Sequence, residues 1–412
     1  MFENIVFHVD VNSAFLSWEA VFRLERMGEL RDLRQIPSAV SGDVAMRRGI
    51  ILAKSIPAKR YGIKTGESIG EARQKCPGLV LVPPRYQLYE RCSKAMMAIL
   101  REYSPAVEQY SVDEAYMDMT GVAGLGEKPE KAAEEVKRRI REELGFTVNI
   151  GISSNKLLAK MASDFRKPDQ VHTLFPEEMQ EKMWRLPVGE LFFVGRAARR
   201  KLFQLGIRTI GELAEADPQI LKAHLKKQGE IIWQFANGRD FSLVEPVPPR
   251  NKGYGNSTTI PFDVRDERTA QIVLMALSET LGTRLRRDGV KAKVVSVSVK
   301  DWEFHVISHQ RVLEHATDIT NEICRAAFQL FQEVWDGSPI RHLGIHTGKI
   351  SEQDGIRQRG LFEEWNYEKE EMADRAADNI RDRFGRDALQ RAVFLEYTAI
   401  DHMSGGVPRQ AR

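Results

Sequence analysis

The side chains in this sequence with the clearest capacity for chemistry are three carboxylates. Asp113 and Glu114 are adjacent within Ser111-Val112-Asp113-Glu114-Ala115-Tyr116-Met117-Asp118, and Asp10 lies in the stretch 4–12. Residues 107–110 and 115–119, on either side of the acid pair, both have strand-like composition. Neighbouring side chains on a regular strand point to opposite faces, so Asp113 and Glu114 reach one site only at a bend, such as a hairpin tip. In 4–12, Ile5, Phe7, Val9 and Val11 fall on one face, and His8, Asp10 and Asn12 on the other. Three hard oxygen ligands without clustered Cys or His suit magnesium, which keeps waters and shares its remaining positions with substrate phosphates. The matching chemistry is phosphoryl or nucleotidyl transfer; a solvated acidic turn is the plainer alternative.

The elements that must position these groups follow from periodicity and caps. After Asp10 the chain turns through Val11, Asn12, Ser13 and Ala14 into a helix carrying Phe15, Trp18, Val21, Phe22 and Leu24 and ending at Gly28. Unpaired amides and the positive end of the helix dipole can hold a triphosphate at such a start, around Ser13 and Ala14. Ser68 and Glu71 form a capping box for a helix that stops before Pro77. Helices are predicted over 87–103 and 129–144, a strand over 147–152, and a helix after Ser153-Ser154 that carries Lys156, Lys160 and Arg166. Residues 176–241 read as helical. Pro246, Pro248 and Pro249 then mark a linker, since clustered prolines cannot continue a helix. Beyond it the order is strand 257–260, helix to 287, strands 293–299 and 305–312, helix 317–334 and strand 343–346. Met372, Ala376, Ile380 and Phe384 form one apolar stripe on a charged helix ending at Gly385, a packing or partner surface.

The length of 412 residues implies two to four domains. A hydrophobic share of 42%, a charged share of 29% and a net charge of +3 describe an ordinary globular chain whose total charge neither demands nor excludes nucleic acid. Cys76, Cys92 and Cys324 form no Cys-x-x-Cys pattern, which argues against zinc or a disulfide framework. No leader-like or membrane-length apolar run is seen, so no membrane partner and a cytoplasmic location are expected.

Three segments in order, the Asp10 strand, Ser111-Val112-Asp113-Glu114 and Gly151-Ile152-Ser153-Ser154-Asn155-Lys156, resemble the Y-family of DNA polymerases. This is the lesion-bypass group that includes bacterial polymerases IV and V, and the resemblance runs from residue 4 to about 350. It implies an α+β multidomain, right-hand polymerase: a ferredoxin-like palm (1–18 and 77–167), small fingers (19–76), a helical thumb (168–244) and a βαββαβ little finger (245–350), with a tail at 351–412. It implies two magnesium ions held by Asp10 and Asp113, with Glu114 and the Val11 carbonyl completing their shells, and low-fidelity translesion synthesis without proofreading. Expected partners are primer-template DNA and a deoxynucleoside triphosphate, for a chain acting as a monomer.

The resemblance also distributes roles along the chain. Phe15 stands at a steric gate that excludes the ribose 2′-hydroxyl; an ordinary core Phe is the alternative. In the fingers, Ile56 and Lys59 replace a usual Tyr and Arg, so a point charge stands for a bidentate fork, as in the polymerase V branch. Lys59 and Lys167, the latter from Lys167-Pro168, are the implied phosphate contacts; a solvated turn is the alternative for Lys59. Residues 191–196 resemble a helix-hairpin-helix in which Phe193 replaces a Gly, with Gly195, Arg196, Arg199, Arg200 and Lys201 available to a DNA phosphate. Arg284, Arg286, Arg287, Lys291, Lys293 and Lys300 gather charge suited to a DNA-backbone clamp. Gln358, Leu361 and Phe362 resemble a peptide that docks a sliding clamp, or else anchor the tail to its own protein.

The rivals are a catalytically weak or inactive polymerase-like scaffold binding DNA or a clamp, and a nucleotide cyclase on a similar palm. Clustered acids repel one another unless a cation offsets them, which disfavours the scaffold. A cyclase would need no basic second domain. A Walker-type ATPase is disfavoured by the lack of a Gly-x-x-x-x-Gly-Lys-Ser/Thr segment.

Overall fold

The computed structural model describes residues 4–43, 47, 49–122, 128–352, 367–397 and 400. By internal contacts the chain divides into two units, 1–42 with 50–248, and 43–49 with 249–412.

The first unit opens with β1 (Val6–Val11) and α1 (Ala14–Arg26), then β2 (Ser38–Ser41), β3 (Ile51–Lys54), α2 (Ile56–Arg60), α3 (Ile69–Lys75) and β4 (Val80–Val82). It continues through α4 (Tyr86–Tyr103), β5 (Ala106–Gln109), β6 (Glu114–Asp118), α5 (Pro129–Leu144), β7 (Val148–Ser153), α6 (Lys156–Asp164) and β8 (Val171–Thr173). Five helices follow: α7 (Met179–Lys182), α8 (Arg196–Gln204), α9 (Ile210–Glu215), α10 (Pro218–Leu225) and α11 (Lys227–Ala236).

The main sheet has the order β5-β6-β1-β7-β8, with antiparallel pairing except between β7 and β8. Its first four members are the ferredoxin-like arrangement, with the first strand central. Phe7, Val9, Val11, Met117 and Ile150 bury one face against Trp18, Met96, Leu100, Val136 and Ile140 of α1, α4 and α5. The opposite face is covered by α6, so both faces of β1 are buried, including His8 and Asp10. Gly151 permits that approach: a Cβ there would lie 1.9 Å from the Ala159 carbonyl oxygen and 2.4 Å from the Ser163 nitrogen. The outer side of α6, through Leu157, Leu158 and Met161, joins the core of the helical segment that ends at Ala236.

Two expected boundaries shift. The small sheet β3-β2-β4 includes 80–82, past the expected end of the fingers at 76, because β4 pairs in parallel with β2. The main sheet includes 171–173, past the expected end of the palm at 167, because β8 pairs with β7.

The second unit comprises β9 (Gly253–Val264), α12 (Glu267–Arg287), β10 (Val290–Asp301), β11 (Val306–Thr317), α13 (Thr320–Val334), β12 (Ile340–Glu352) and α14 (Tyr367–Phe384). Its sheet order is β11-β10-β12-β9, so the βαββαβ sequence is wired differently from the first: the second strand, not the first, pairs with both the third and the fourth. Burial pushes the thiol of Cys324, which α13 turns toward Ser278 of α12, up to about 11, so it is a neutral core group. Among the described residues, no helix is long and apolar enough to cross a membrane.

Candidate active site

Residues 110–113 form the turn between β5 and β6, closed by Tyr110 and Ser111 amides donating to the Glu114 carbonyl at 3.0 and 3.1 Å. Asp113 sits in the turn and Glu114 begins β6, the bend that two adjacent acids need in order to serve one site. The Ser111 hydroxyl donates to Asp113 Oδ1 at 2.7 Å and orients that carboxylate. Register brings the acids to β1: Asp10 pairs with Glu114, and the Val11 amide donates to the Asp113 carbonyl at 3.1 Å. Strand pairing therefore gathers Asp10, Val11, Asp113 and Glu114 at one end of the sheet.

Two lysines balance the acids. The Lys167 ammonium pairs with Asp10 and, at 2.8 Å, with Asp164, while Lys160 Nζ donates to Glu114 Oε1 at 2.6 Å. Burial pushes the Asp10 carboxyl up to about 6, against the pull of Lys167. Burial also works against the charge of Lys167, but Asp10 and Asp164 outweigh it and hold the ammonium above its ordinary range. Residues 156, 160 and 163 of α6, at helical spacing, face the sheet: Lys156 meets Glu108 at 2.7 Å, Lys160 meets Glu114, and the Ser163 hydroxyl meets His8 Nδ1 at 2.7 Å. Burial, with Lys160 and Lys167 nearby, holds His8 well below its ordinary pKa and hence neutral. The two lysines were named in the sequence only as residues of this helix or as a phosphate contact; their pairing with the acids depends on α6 crossing the sheet at Gly151.

The donor set fits a hard divalent cation. It is all oxygen, half-buried, and already attracts cationic groups, the ammonium ions of Lys160 and Lys167. Among the described residues, Asp301, Glu303 and His305 also approach one another, at the turn between β10 and β11. There the geometry is accounted for by turn closure, with the His305 amide on Asp301 Oδ1 at 2.9 Å.

At the start of α1, Ser13 has φ 52 and its own side chain makes no capping bond to the amides around Ala14. Phe15 is half-buried and stacks on Tyr89 with ring centroids 4.4 Å apart, which fixes its ring beside the helix start. Lys59 is exposed on α2, and its charge, after burial, lowers the pKa of Lys54. Lys54 was not anticipated, because nothing in the local sequence distinguishes it from other strand-end lysines.

Phe193 has φ 75 and thus adopts the backbone conformation of the Gly it replaces, with its ring 53% exposed. Gly195 caps α8, and Arg196, Arg199 and Lys201 are exposed on it, although Lys201 Nζ also donates to the His224 carbonyl at 3.1 Å.

The basic group of the second unit needs correction. The Arg286 side chain is only 7% exposed and pairs with Asp374 at 2.9 Å and Asp378 at 2.6 Å, and Lys291 pairs with Glu371 at 3.0 Å. These acids belong to α14, about ninety residues along the chain, so a charge count confined to 284–300 could not find them. Arg286 and Lys291 are thereby committed to holding α14, whereas Arg284, Arg287 and Lys293 are exposed, Arg287 with only a long, solvent-exposed pair to Asp382 at 3.8 Å. Gln358, Leu361 and Phe362 lie outside the described residues.

Comparison with known proteins sets this site in a family. The model of the impB/mucB/samB family matches residues 9–164, and that of the same family's C-terminal domain matches 251–361. DNA polymerase IV of Clostridium acetobutylicum is 44% identical over 393 residues, 95% of this chain and 98% of that protein. The chain belongs to the Y-family of DNA polymerases. DNA polymerase IV of Acetivibrio thermocellus is 37% identical over 96% of this chain and 98% of its own length, and DNA polymerase IV 2 of Bacillus subtilis is 36% identical over 96% and 95%. A solved Y-family DNA polymerase chimera of Dbh and Dpo4 superposes with a TM-score of 0.73 at 23% identity, covering 84% of this chain and 99% of its own. That likeness supports the fold: a right-hand Y-family polymerase with palm, small fingers, thumb and little finger. Lys59 thus stands in a chain whose relatives named here are polymerases IV, despite its likeness to the polymerase V branch.

Proposed function

We propose that the carboxylates gathered at the end of β1 and at the β5–β6 turn catalyse template-directed addition of deoxynucleotides to a primer 3′ end. The family is one of metal-dependent DNA polymerases acting in translesion synthesis, and this chain is a DNA-directed DNA polymerase. The observation that carries the residue assignment is the register that sets Asp10 opposite Glu114 and ties Val11 to Asp113.

In this reading Asp10, Asp113, Glu114 and the Val11 carbonyl hold two magnesium ions. When bound, such ions lower the pKa of the primer hydroxyl and offset the charge of the leaving pyrophosphate. The protein's own groups position and compensate. Ser111 orients Asp113 and Lys160 restrains Glu114. The amides of Ser13 and Ala14, with Lys167 and with Lys59 beside Lys54, would receive the triphosphate, whose negative charge suits a helix start and clustered ammonium groups. Phe15, fixed by Tyr89, would meet the sugar at C2′.

Duplex DNA would meet exposed Gly195, Arg196, Arg199 and Lys201 on the thumb and Arg284, Arg287 and Lys293 on the little finger, through phosphates and without regard to sequence. We take the fingers as about 19–82 and the thumb as starting after about 174, a division supported by the pairing of β4 with β2 and of β8 with β7.

The test is magnesium-dependent extension of a labelled primer on undamaged and abasic templates, with Asp113→Ala as control and Phe15→Ala assayed with ribonucleotides. Extension by the wild type and none by Asp113→Ala is expected, with ribonucleotide insertion rising in Phe15→Ala. Equal extension by wild type and Asp113→Ala would overturn the assignment of the acids.

A further inference from the structure

We propose that Asn12 and Asn149 form a buried amide clamp that positions Lys167, and so sets the affinity for the incoming triphosphate; this rests on reading Lys167 as a triphosphate contact. Asn149 lies outside the segments that carry the resemblance and Asn12 only closes the Asp10 strand, and neither is one of the acids, yet Asn149 is fully buried and Asn12 nearly so.

The hydrogen bonds admit one orientation of each amide. Asn149 Nδ2 donates to the Arg166 carbonyl at 2.8 Å and to the Ser163 carbonyl at 3.0 Å, both pure acceptors. Its Oδ1 therefore accepts, from Asn12 Nδ2 at 3.0 Å and from the Gln170 amide at 3.3 Å. With Nδ2 of Asn12 so directed, its Oδ1 accepts from the Asp169 amide at 2.9 Å and from the Thr147 hydroxyl at 3.0 Å.

Two carboxamides thus hold the main chain at 166 on one side of Lys167 and at 169 and 170 on the other. Only a side chain with both donors and an acceptor can do this, which neither Asp nor a hydroxyl of similar reach supplies. The far end of the clamp is β7, and its near end is Asn12, two residues beyond Asp10. Shifting the Lys167 main chain, and with it the root of the side chain, therefore requires breaking buried hydrogen bonds, so the ammonium searches only the positions that its own rotamers reach from one fixed Cα. Other bonds reach this loop: Arg141 Nη1 to Asp169 Oδ2 at 2.9 Å, Lys137 Nζ to the Asp169 carbonyl at 3.1 Å, the Ile150 amide to the Gln170 carbonyl at 2.9 Å, and His172 Nε2 3.1 Å from the Arg166 carbonyl; Asn149 differs from them in joining 166 and 170 through one side chain.

Asn12 and Asn149 are positioning residues, and their role is separable from a general structural one by a double-mutant cycle. Single-nucleotide insertion kinetics, primer-template affinity and Tm would be measured for the wild type, Asn149→Ala, Lys167→Met and the double variant. Misplacing a binding group by about an ångström costs on the order of 10- to 100-fold in kcat/KM, so Asn149→Ala should raise KM for the nucleotide by ~10-fold or more. Primer-template affinity should hold, and in the Lys167→Met background the further loss should stay within ~2-fold, as expected of residues acting in one unit.

If Lys167→Met raises KM and Asn149→Ala multiplies that effect in full, the clamp is refuted while the role of Lys167 stands. If Lys167→Met leaves KM unchanged, the reading of Lys167 fails and the proposal fails with it. Should Asn149→Ala not fold, Asn12→Ala, which leaves the bonds from Asn149 to 163 and 166 in place, is taken through the same cycle. A smaller rise in KM, again lost in the Lys167→Met background, supports the clamp, and an unchanged KM overturns it.

Discussion

Replacing Arg286 by alanine should cost stability rather than DNA affinity. Its guanidinium reaches Asp378 Oδ2 at 2.6 Å, Asp374 Oδ2 at 2.9 Å and the Asp318 carbonyl at 2.6 Å, with the side chain 7% exposed. Breaking a buried pair by removing one partner costs about 3–5 kcal/mol, mostly because a charge is left unpaired. The two aspartates are 12% and 14% exposed and can recover some hydration, so the lower end, about 3 kcal/mol, is the fitting value. For a unit of this size each kcal/mol moves Tm by about 2–4 °C, so a fall of roughly 6–12 °C is expected by calorimetry. DNA binding followed by anisotropy between about 50 and 200 mM salt should keep its slope in Arg286→Ala. In Arg284→Ala, by contrast, the slope should fall by about 0.9 while Tm stays near the wild-type value. An Arg286→Ala protein with wild-type Tm and a slope reduced by about one would refute the correction and restore Arg286 to the DNA surface.

Other perturbations test the site and its support. The Asp10 carboxyl titrates at about 6 rather than 3.8. Its ionisation therefore costs more in the folded state, and stability present below pH 3.8 is lost as pH rises through about 6. Asp10→Asn removes this cost but leaves Lys167 with Asp164 as its remaining partner, so the variant should unfold at a modestly higher temperature than wild type at pH 7.5 without divalent ions. That gain should shrink toward pH 4 in a thermal-unfolding series, and its absence would show that Lys167 already outweighs burial. Gly151→Ala should exceed the ~1–3 kcal/mol of ordinary overpacking, because the new methyl meets main-chain atoms of α6 that cannot rotate away; soluble yield and Tm read this out. Phe193→Gly should move Tm by no more than about 2–4 °C, since relief at φ 75 offsets lost contact with Phe235. DNA binding should tighten in that variant if the hairpin amides approach a phosphate, and anisotropy checks it.

Much of this arrangement was legible from local pattern. The bend at Asp113 and Glu114 followed from the incompatibility of adjacent acids with a straight strand, and the helix at 129–144 was bounded by Pro129 and Gly145 as caps require. What stayed hidden was decided by partners distant in sequence. Three residues at 171–173 carry no periodicity, and they became a strand only because β7 offered an edge. On α14 the stripe containing Met372, Ile380 and Phe384 reads as a packing or partner surface; these three are exposed, so the stripe does not pack on this chain, and the helix is held by Glu371, Asp374, Asp378 and Arg381. Ion pairs across 90 residues leave no periodic trace. The amide pair of Asn12 and Asn149 was equally silent, since an Asn after a strand reads as a turn residue.

The central place of β1 also governs the order in which the molecule can be made. Its two ladder partners, β6 and β7, lie at 114–118 and 148–153, so the strand bearing Asp10 leaves the ribosome long before either neighbour exists. At about 5–20 residues per second the wait is on the order of ten seconds, during which Phe7, Val9 and Val11 have no sheet to enter. A nascent or truncated chain ending before β6 therefore lacks the acid site, because Asp113 and Glu114 have not yet joined Asp10. Until β6 and β7 are made, the apolar side of β1 has no sheet to enter, so the strand that carries the chemistry is also among the last parts of the core to be covered.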